Sequence, residues 1–253
     1  FTRALPTSLT ALVEQFWPGP LTLVLPRAHD VPDGATAGLS TIAVRAPRHP
    51  VARALIGAFG SPVSAPSANR SGHVSPTTAQ HVADEFADID DLLILDGGPS
   101  EIGLESTVLD LTTSPPRILR WGAVTPAELQ EAVGEFEDAS KAHRAAASGD
   151  AVRHYAPRTR TEIVDSAALR SRLEALEESA AVLCFDASAV PTPHRAIEMP
   201  ADAKAYAARM YEALREADAM ACRRIVIERP TGAGDLWRVI HDRLSRASQH
   251  PGS

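Results

Sequence analysis

Short apolar segments alternate with helical segments along the last third of the chain, and this alternation constrains the fold more than any other feature. Apolar patterns predict strands at residues 161–164, 180–185 and 225–227, and helices at residues 167–176, 203–217 and 235–247. Strands that are joined by helices usually run in the same direction. The pattern therefore predicts a mostly parallel α/β sheet.

The first half of the chain shows the same alternation with shorter elements. Strands are predicted at residues 21–25, 41–45, 92–95, 106–111 and 117–120, and helices at residues 50–59, 75–86 and 125–136. From residue 137 to 160 the apolar periodicity is lost, and Ala, Ser, Gly and charged residues dominate. Long connections without structure are uncommon inside a domain. The sequence thus predicts two domains, residues 1–136 and 161–253, joined by a linker of residues 137–160.

The charge is divided unevenly between these parts. The net charge of the 253-residue chain is −7, and residues 1–136 account for all of it, with eight arginines, no lysine and 15 acidic residues. A broad nucleic-acid surface requires a basic face. Any phosphate bound by this half must be held locally, by a few arginines and by the backbone.

Targeting and redox features indicate a cytoplasmic protein. No apolar run approaches the roughly 20 residues that are needed to cross a bilayer, so no membrane contact is expected. Cys184 and Cys222 have neither metal-site spacing nor a partner motif, which predicts buried, reduced thiols.

Common catalytic motifs are missing from the sequence. There is no Walker-type phosphate loop, no Gly-x-Gly-x-x-Gly turn after a strand and no Gly-x-Ser-x-Gly elbow. The nine histidines show no metal-ligand spacing, so a protein-held metal is not expected.

Residues 62–77 form the most informative segment for function. Hydroxyls, small residues and Gly72 are crowded where a strand is expected to lead into a helix, so backbone N–H groups and hydroxyls can face an anion. An ordinary Ser- and Pro-rich surface loop would have a similar composition.

Three further segments also place hydroxyls or an arginine at a strand end, where ligands collect in open α/β sheets: residues 40–45, 103–107 and 118–122. Thr41 and Arg45 are four residues apart, so along a strand they point to the same side. Arg120 supplies a second guanidinium suited to phosphate or carboxylate. The alternative is that Arg45 and Arg120 form ordinary ion pairs with nearby acidic residues.

Taken together, the motifs closely resemble the threonylcarbamoyl-AMP synthases (L-threonylcarbamoyladenylate synthases), in the long two-domain form of the YrdC-like family. The matching stretches are residues 16–25, 41–45, 49–50, 64–69, 71–72, 75–77, 96–98, 105–108, 118–120 and 153–157, with the last helices resembling the C-terminal domain. The resemblance covers nearly the whole chain.

The resemblance implies both a fold and an activity. The expected fold is α/β, a YrdC-like twisted open sheet with flanking helices plus a smaller Rossmann-like C-terminal α/β domain. The expected enzyme is a nucleotidyltransferase that makes threonylcarbamoyl-adenylate and pyrophosphate from L-threonine, bicarbonate and ATP. Its product would pass to a downstream tRNA-modifying transferase complex for threonylcarbamoyladenosine (t6A) synthesis.

The resemblance also assigns site residues. The expected nucleotide contacts are Thr41, Ser67, Ser75 and Arg120, with Tyr155 reaching from the linker to close over the nucleotide. The expected L-threonine contacts are Arg45, Ala65 and Ser106, with Arg45 pairing the carboxylate. No side chain resembles a nucleophile, and Mg²⁺ is expected to bridge the phosphates of ATP rather than to sit in a protein cage.

Two departures from the family pattern bear on these expectations. The family's N-terminal portion, with a Lys-x-Arg pair, lies before Phe1, so this chain by itself is expected to be weakly active or inactive. Trp121 stands where the family usually has Pro, and the first part of the linker signature matches poorly.

Two alternatives stay open. One is an RNA-binding module of the same fold, against which the acidic first half argues. The other is a carbamoyl-transfer relative, against which the tyrosine-bearing linker and the C-terminal domain argue. Neither the role of the C-terminal domain nor the oligomeric state follows from the sequence.

Overall fold

A computed structural model describes residues 8–140 and 156–249, and it divides into two contact units. The first unit comprises residues 1–65 and 104–149, and the second comprises residues 66–103 and 150–253. Residues 66–103 therefore belong with the C-terminal part of the chain, although they lie in the middle of the sequence.

The described residues form seven α-helices and nine strands. The helices are α1 (Ser8–Phe16), α2 (Pro50–Phe59), α3 (Ala79–Glu85), α4 (Pro126–Val133), α5 (Ser166–Glu174), α6 (Ala203–Ala219) and α7 (Asp235–Ala247). The strands are β1 (Leu21–Pro26), β2 (Thr41–Val44), β3 (Thr107–Asp110), β4 (Arg117–Arg120), β5 (Glu137–Asp138), β6 (Arg160–Val164), β7 (Ala180–Cys184), β8 (Arg195–Glu198) and β9 (Arg224–Glu228).

The first unit contains a mixed five-stranded sheet in the order β2-β1-β3-β4-β5. Strand β1 pairs antiparallel with β2 and parallel with β3, and β3 pairs antiparallel with β4. Leu21, Leu23 and Leu25 alternate with less buried residues along β1, and they join Leu12 of α1 and Leu129 of α4 in one core. Strand β1 thus has one face in the core and one face free to carry Thr22.

The capping box predicted at the start of α4 is present. The Thr125 N–H donates to Glu128 Oε2 at 2.8 Å, and the Glu128 N–H donates to Thr125 Oγ1 at 3.4 Å. Helix α4 ends near its predicted position, and it contacts α1 over the sheet.

The second unit contains a four-stranded parallel sheet in the order β6-β9-β7-β8. Every residue of β7 is buried, as are the three central residues of β9. Such continuous apolar strands are typical of parallel sheets covered on both faces. Together with the mixed sheet and flanking helices of the first unit, this sheet confirms the predicted α/β class. Strand β8 was missed because its four residues include charged residues at both ends.

The strand predicted at residues 92–95 is wrong. These residues form no regular element, and the exposed fractions of Leu92, Leu93 and Leu95 are 41%, 82% and 52%. A strand requires a neighbour for its backbone N–H and C=O groups, and no strand of the described residues pairs with this segment. Helix α2 likewise exposes Val51, Leu55 and Phe59.

The helix predicted from residue 75 begins later, at Ala79. Thr78 is the N-cap, because its side chain accepts a hydrogen bond from the His81 N–H at 3.2 Å. Ser75 therefore lies in the irregular segment before α3, not at a helix start.

Part of the predicted linker is ordered against the first unit. Within residues 137–160, Glu137–Asp138 forms β5, and the Ala139 N–H donates to the Ile118 carbonyl at 3.0 Å. Most of the linker, including Tyr155, lies outside the described residues. Over the ranges described, none of the helices has the length and apolar character needed to span a bilayer.

Candidate functional site

Arg120, the last residue of β4, is held in a fixed orientation by Ser106. Its Nε and Nη2 donate to the Ser106 carbonyl at 3.2 and 3.0 Å, and Nη2 also contacts Ser106 Oγ at 3.1 Å. On its other side, Ser106 Oγ lies 2.7 Å from Thr22 Oγ1 of β1. Three neighbouring strands thus converge on one polar cluster, at a point where Ser106 is only 6% exposed.

Hydrogen bonds of the Thr107 side chain fix the backbone that places Ser106 beside Arg120. The fully buried Thr107 hydroxyl accepts from the N–H groups of Gly122 and Val124 at 3.0 and 3.1 Å, and it donates to the Val124 carbonyl at 2.7 Å. These bonds use the full capacity of a hydroxyl group. They tie the start of β3 to the turn that follows β4.

Gly122 allows this close approach. A Cβ at position 122 would lie 2.2 Å from the Glu105 carbonyl oxygen and 2.6 Å from Thr107 N. Such distances leave no room for a side chain. Gly122 therefore allows the close backbone packing that positions Ser106 and Arg120.

Arg45 lies within electrostatic range of Arg120. Arg45 follows β2 directly and keeps an exposed side. Partial burial, and next the like charge of Arg120, lower the pKa of Arg45 from its ordinary value. Among residues 8–140 and 156–249, no carboxylate forms an ion pair with either arginine. The alternative of ordinary ion pairs therefore finds no support in the described chain.

Two guanidinium groups whose charges act on each other, and which have no carboxylate partner in the described part of the chain, attract an anionic ligand. Because Nε and Nη2 of Arg120 donate hydrogen bonds to Ser106, the orientation of the guanidinium is fixed before a ligand binds. Charge-assisted hydrogen bonds from such preset donors are among the strongest that a protein offers to carboxylate or phosphate oxygens.

The other predicted residues of the first unit flank this cluster along the sequence. Thr41 opens β2 and pairs with Pro26, four residues before Arg45. Ala65 is exposed at the end of the segment that follows α2. Their assignment to a ligand stays a prediction.

Ser67 and Ser75 belong to the second contact unit. Ser67 is exposed and precedes Ala68, whose φ of 55° is unusual for a residue with a side chain. Ser75 is half-buried in the irregular segment before α3. Tyr155 lies outside the described residues, although the next residue, Ala156, donates its N–H to the Gly72 carbonyl at 3.0 Å.

Glu85, the last residue of α3, holds the segment that carries Ser75. Its Oε1 accepts from the Arg70 N–H at 3.0 Å and contacts His73 Nδ1 at 2.6 Å, and its Oε2 lies 3.2 Å from Nη2 of Arg215. Burial opposes ionisation of Glu85. Hydrogen bonds from Arg70, His73 and Arg215 outweigh burial, and the pKa of Glu85 falls below its ordinary value.

Four residues with evident roles in this architecture were not predicted from the sequence. Thr22 and Asn69 lie inside the motifs that carry the resemblance; Glu85 and Arg215 do not. Asn69 donates from Nδ2 to the His73 carbonyl at 2.9 Å, and no described residue donates a hydrogen bond to its buried Oδ1. A threonine on the uncovered face of β1 was the signal that could have identified Thr22.

The donor set suits anions rather than cations. Guanidinium groups, hydroxyls and backbone N–H groups surround the candidate residues, and these bind phosphate and carboxylate oxygens. Within the described ranges, no group of three or more His, Cys, Asp or Glu side chains is arranged to hold a metal ion.

Comparisons with known proteins cover nearly the whole chain. Residues 1–122 match the model of the Sua5, YciO and YrdC family, described as "Telomere recombination". Residues 124–249 match the model described as "Threonylcarbamoyl-AMP synthase, C-terminal domain".

Two curated relatives are described as threonylcarbamoyl-AMP synthases. A threonylcarbamoyl-AMP synthase of Pyrococcus abyssi is 44% identical over 64% of this chain and 49% of its own length. One of Bacillus subtilis is 46% identical over 53% of this chain and 38% of its own. The matches thus span about half or less of the length of these two relatives.

Solved structures of the Pyrococcus abyssi protein Sua5 are similar over 98% of this chain. A crystal structure described as complexed with L-threonine has a TM-score of 0.80 at 33% identity, with 75% of its own chain covered. A doubly substituted variant has a TM-score of 0.83 at 32% identity, with 74% covered.

Proposed function

The chain belongs to the Sua5 family of threonylcarbamoyl-AMP synthases, and on that premise we propose that it makes threonylcarbamoyl-adenylate. The substrates are L-threonine, bicarbonate and ATP, and pyrophosphate is the second product. The adenylate serves tRNA threonylcarbamoyladenosine formation through a downstream transferase complex. The relatives' shared description and the L-threonine complex of the Pyrococcus abyssi protein support this assignment.

One observation of this structure carries the proposal: the positive charge of Arg120 acts on Arg45, and neither arginine has a carboxylate partner among the described residues. The reaction brings together three anionic reactants, namely a threonine carboxylate, bicarbonate and a triphosphate. In a half of the chain whose net charge is −7, two unpaired guanidinium groups mark the place where such charges can be held.

The proposed residue roles are those that the resemblance to the family implies. Arg45 pairs the threonine carboxylate, and Ala65 and Ser106 line the same subsite. Arg120, Thr41, Ser67 and Ser75 bind the nucleotide and its phosphates, and Tyr155 covers the nucleotide. Small Ala65 leaves space for a ligand, and seryl hydroxyls donate to phosphate oxygens.

The product defines the bonds that change. The threonine nitrogen forms a bond to the carbon of bicarbonate, and water is lost. An oxygen of the resulting carbamate then forms a bond to the α-phosphorus of ATP, and the bond to pyrophosphate breaks. No protein nucleophile takes part, so the chain contributes alignment of the reactants and stabilisation of negative charge.

Mg²⁺ enters this proposal together with ATP. When bound with ATP, it would neutralise part of the phosphate charge. Arginines and hydroxyls of the candidate site would bind phosphate oxygens directly. The protein need not supply a cage of carboxylates for this arrangement.

The test measures pyrophosphate release by the full-length protein, with ATP, L-threonine and bicarbonate each omitted in turn. We expect Arg45→Ala and Arg120→Ala each to lower kcat/KM at least tenfold, about 1.4 kcal/mol of transition-state stabilisation. Arg45→Ala should raise the KM for L-threonine more than the KM for ATP. Arg53→Ala, on the exposed side of α2, is the matched control and should act as the parental protein does.

Parental rates in both site variants would refute the assignment of the site. The RNA-binding alternative is separated by a filter-binding titration with tRNA, with and without ATP. Tight, salt-sensitive tRNA binding without nucleotide binding would favour the alternative over the synthase.

A further inference from the structure

We propose that Arg215 of α6 is a positioning residue for the nucleotide site, because it fixes the backbone that carries Ser75. The proposal rests on the proposed function, since that function gives Ser75 its role. It also assigns a task to the C-terminal part of the chain, which supplies the guanidinium that orders this segment.

Arg215 reaches two successive carbonyl groups of the segment. Its Nη2 donates to the Val74 carbonyl, and its Nε donates to the Ser75 carbonyl at 3.2 Å. A planar guanidinium that binds two neighbouring carbonyls fixes the orientation of the peptide between them. That peptide leads directly into the Ser75 side chain.

The same guanidinium is anchored by Glu85. Nη2 of Arg215 lies 3.2 Å from Glu85 Oε2, and the two side chains are only 15% and 8% exposed. The other oxygen of Glu85 binds the Arg70 N–H and the His73 ring. Glu85 thus ties Arg215 to the backbone on the N-terminal side of Ser75 as well.

The segment depends on this support because it has little regular structure of its own. Residues 74–77 form neither helix nor strand, and the pairing of His73 with Ala156 is an isolated bridge. Ala68 has a φ of 55°, which a residue with a side chain adopts only while its surroundings enforce it. Segments with few contacts of this kind open at low free-energy cost.

Removal of Arg215 would take one donor from each of three acceptors. The carbonyls of Val74 and Ser75 and the carboxylate of Glu85 would each require water, and the segment would have to open to admit it. Val74 is 4% exposed, so its carbonyl lies in a covered place. We therefore expect the Ser75 hydroxyl to lose its fixed position.

The effect should fall on the nucleotide and spare L-threonine. Arg45 and Ser106, the proposed L-threonine contacts, belong to the other contact unit, where Ser106 is held by Arg120 and Thr22. A general loss of folding would weaken the binding of both ligands. A loss of positioning at Ser75 would weaken the binding of ATP alone.

Two variants and one matched control test the proposal. Arg215→Ala removes the guanidinium, and Arg215→Lys keeps a charge for Glu85 but lacks the planar fork that fixes both carbonyls. Arg209→Ala removes an arginine of the same helix that pairs only with Glu212 and Glu216 of that helix among the described residues. Circular dichroism verifies that each variant is folded.

Hydrogen exchange and ligand titration are measured on the full-length protein. We expect Arg215→Ala to raise amide exchange in residues 70–77 at least tenfold and to raise the Kd for ATP at least fivefold, with the Kd for L-threonine within twofold of parental. Arg215→Lys should fall between Arg215→Ala and the parental protein, and Arg209→Ala should match the parental protein.

Unchanged exchange in residues 70–77 would overturn the proposal, as would faster exchange with an unchanged Kd for ATP. A parental protein that binds no ATP would refute the proposed function, and with it the nucleotide role of Ser75. The exchange measurement would then still decide whether Arg215 holds the segment.

Discussion

Replacement of Thr107 by valine tests the buried hydroxyl that joins Ser106 to the turn after Arg120. Valine has nearly the same shape, so the change removes three hydrogen bonds and leaves the packing of the fully buried side chain intact. The N–H groups of Gly122 and Val124 would lose their acceptor, and the Val124 carbonyl would lose a donor.

The expected loss of stability follows from these contacts. A buried donor without a partner costs about 1–3 kcal/mol, and two donors are affected. The added methyl group returns about 0.8 kcal/mol through apolar burial. Since the bonds share one atom and are not additive, we expect the free energy of unfolding to fall by about 2–4 kcal/mol.

Urea unfolding followed by tryptophan fluorescence gives the overall change, and native-state hydrogen exchange of residues 120–125 gives the local change. Thr112→Val is the control, because its hydroxyl binds Asp110 on the exposed surface. It should change the free energy of unfolding by no more than about 0.5 kcal/mol. A Thr107→Val protein within the same margin of the parental protein would show that this reasoning is wrong.

Two further predictions concern titratable groups. Burial, followed by the charges of Glu228 and Glu198, raises the pKa of Cys184 to about 11. At pH 8, mass spectrometry should therefore find Cys184 unmodified by iodoacetamide in the native protein and alkylated in the protein unfolded in urea. Rapid alkylation of Cys184 in the native protein would contradict this prediction. Burial and then the Arg215 charge lower the pKa of His81, against the opposing charges of Asp84 and Glu212, and the neutral ring accepts the Thr77 N–H at 3.2 Å. Because its folded pKa lies below the unfolded value, the stability that His81 contributes is complete above about pH 6.5 and is lost as the pH falls through the folded pKa. The urea midpoint should therefore fall between pH 7.5 and 5.5, and fall less in His81→Gln; an equal fall in both proteins would exclude His81 as the source.

Sequence patterns predicted those parts of the fold that depend on local interactions. The apolar run of β7 and the capping box at Thr125 are each encoded within a few residues, and both elements formed as predicted. Residues 92–95 have an equally apolar pattern, yet they form no strand, because a strand also requires a hydrogen-bonding neighbour.

In the candidate site, too, local sequence patterns predicted some features and not others. Strand spacing predicted that Thr41 and Arg45 point to the same side and that Arg120 supplies a second guanidinium, and in the folded chain the charge of Arg120 acts on Arg45. Glu85 and Arg215 are separated by 130 positions, and no local pattern relates a glutamate at the end of a short helix to an arginine in a long one. Such a pair becomes visible only after the chain has folded.

The assignment of residues 66–103 to the C-terminal unit has a consequence for dissection of this protein. Gly103 packs closely against α6, because a Cβ at position 103 would lie 2.2 Å from the Ala207 carbonyl oxygen. A protease that cuts between residues 140 and 156 would sever the backbone and yet leave this insertion seated on α6. The two fragments should therefore copurify, and expression of either one alone would expose the surface that the other normally covers.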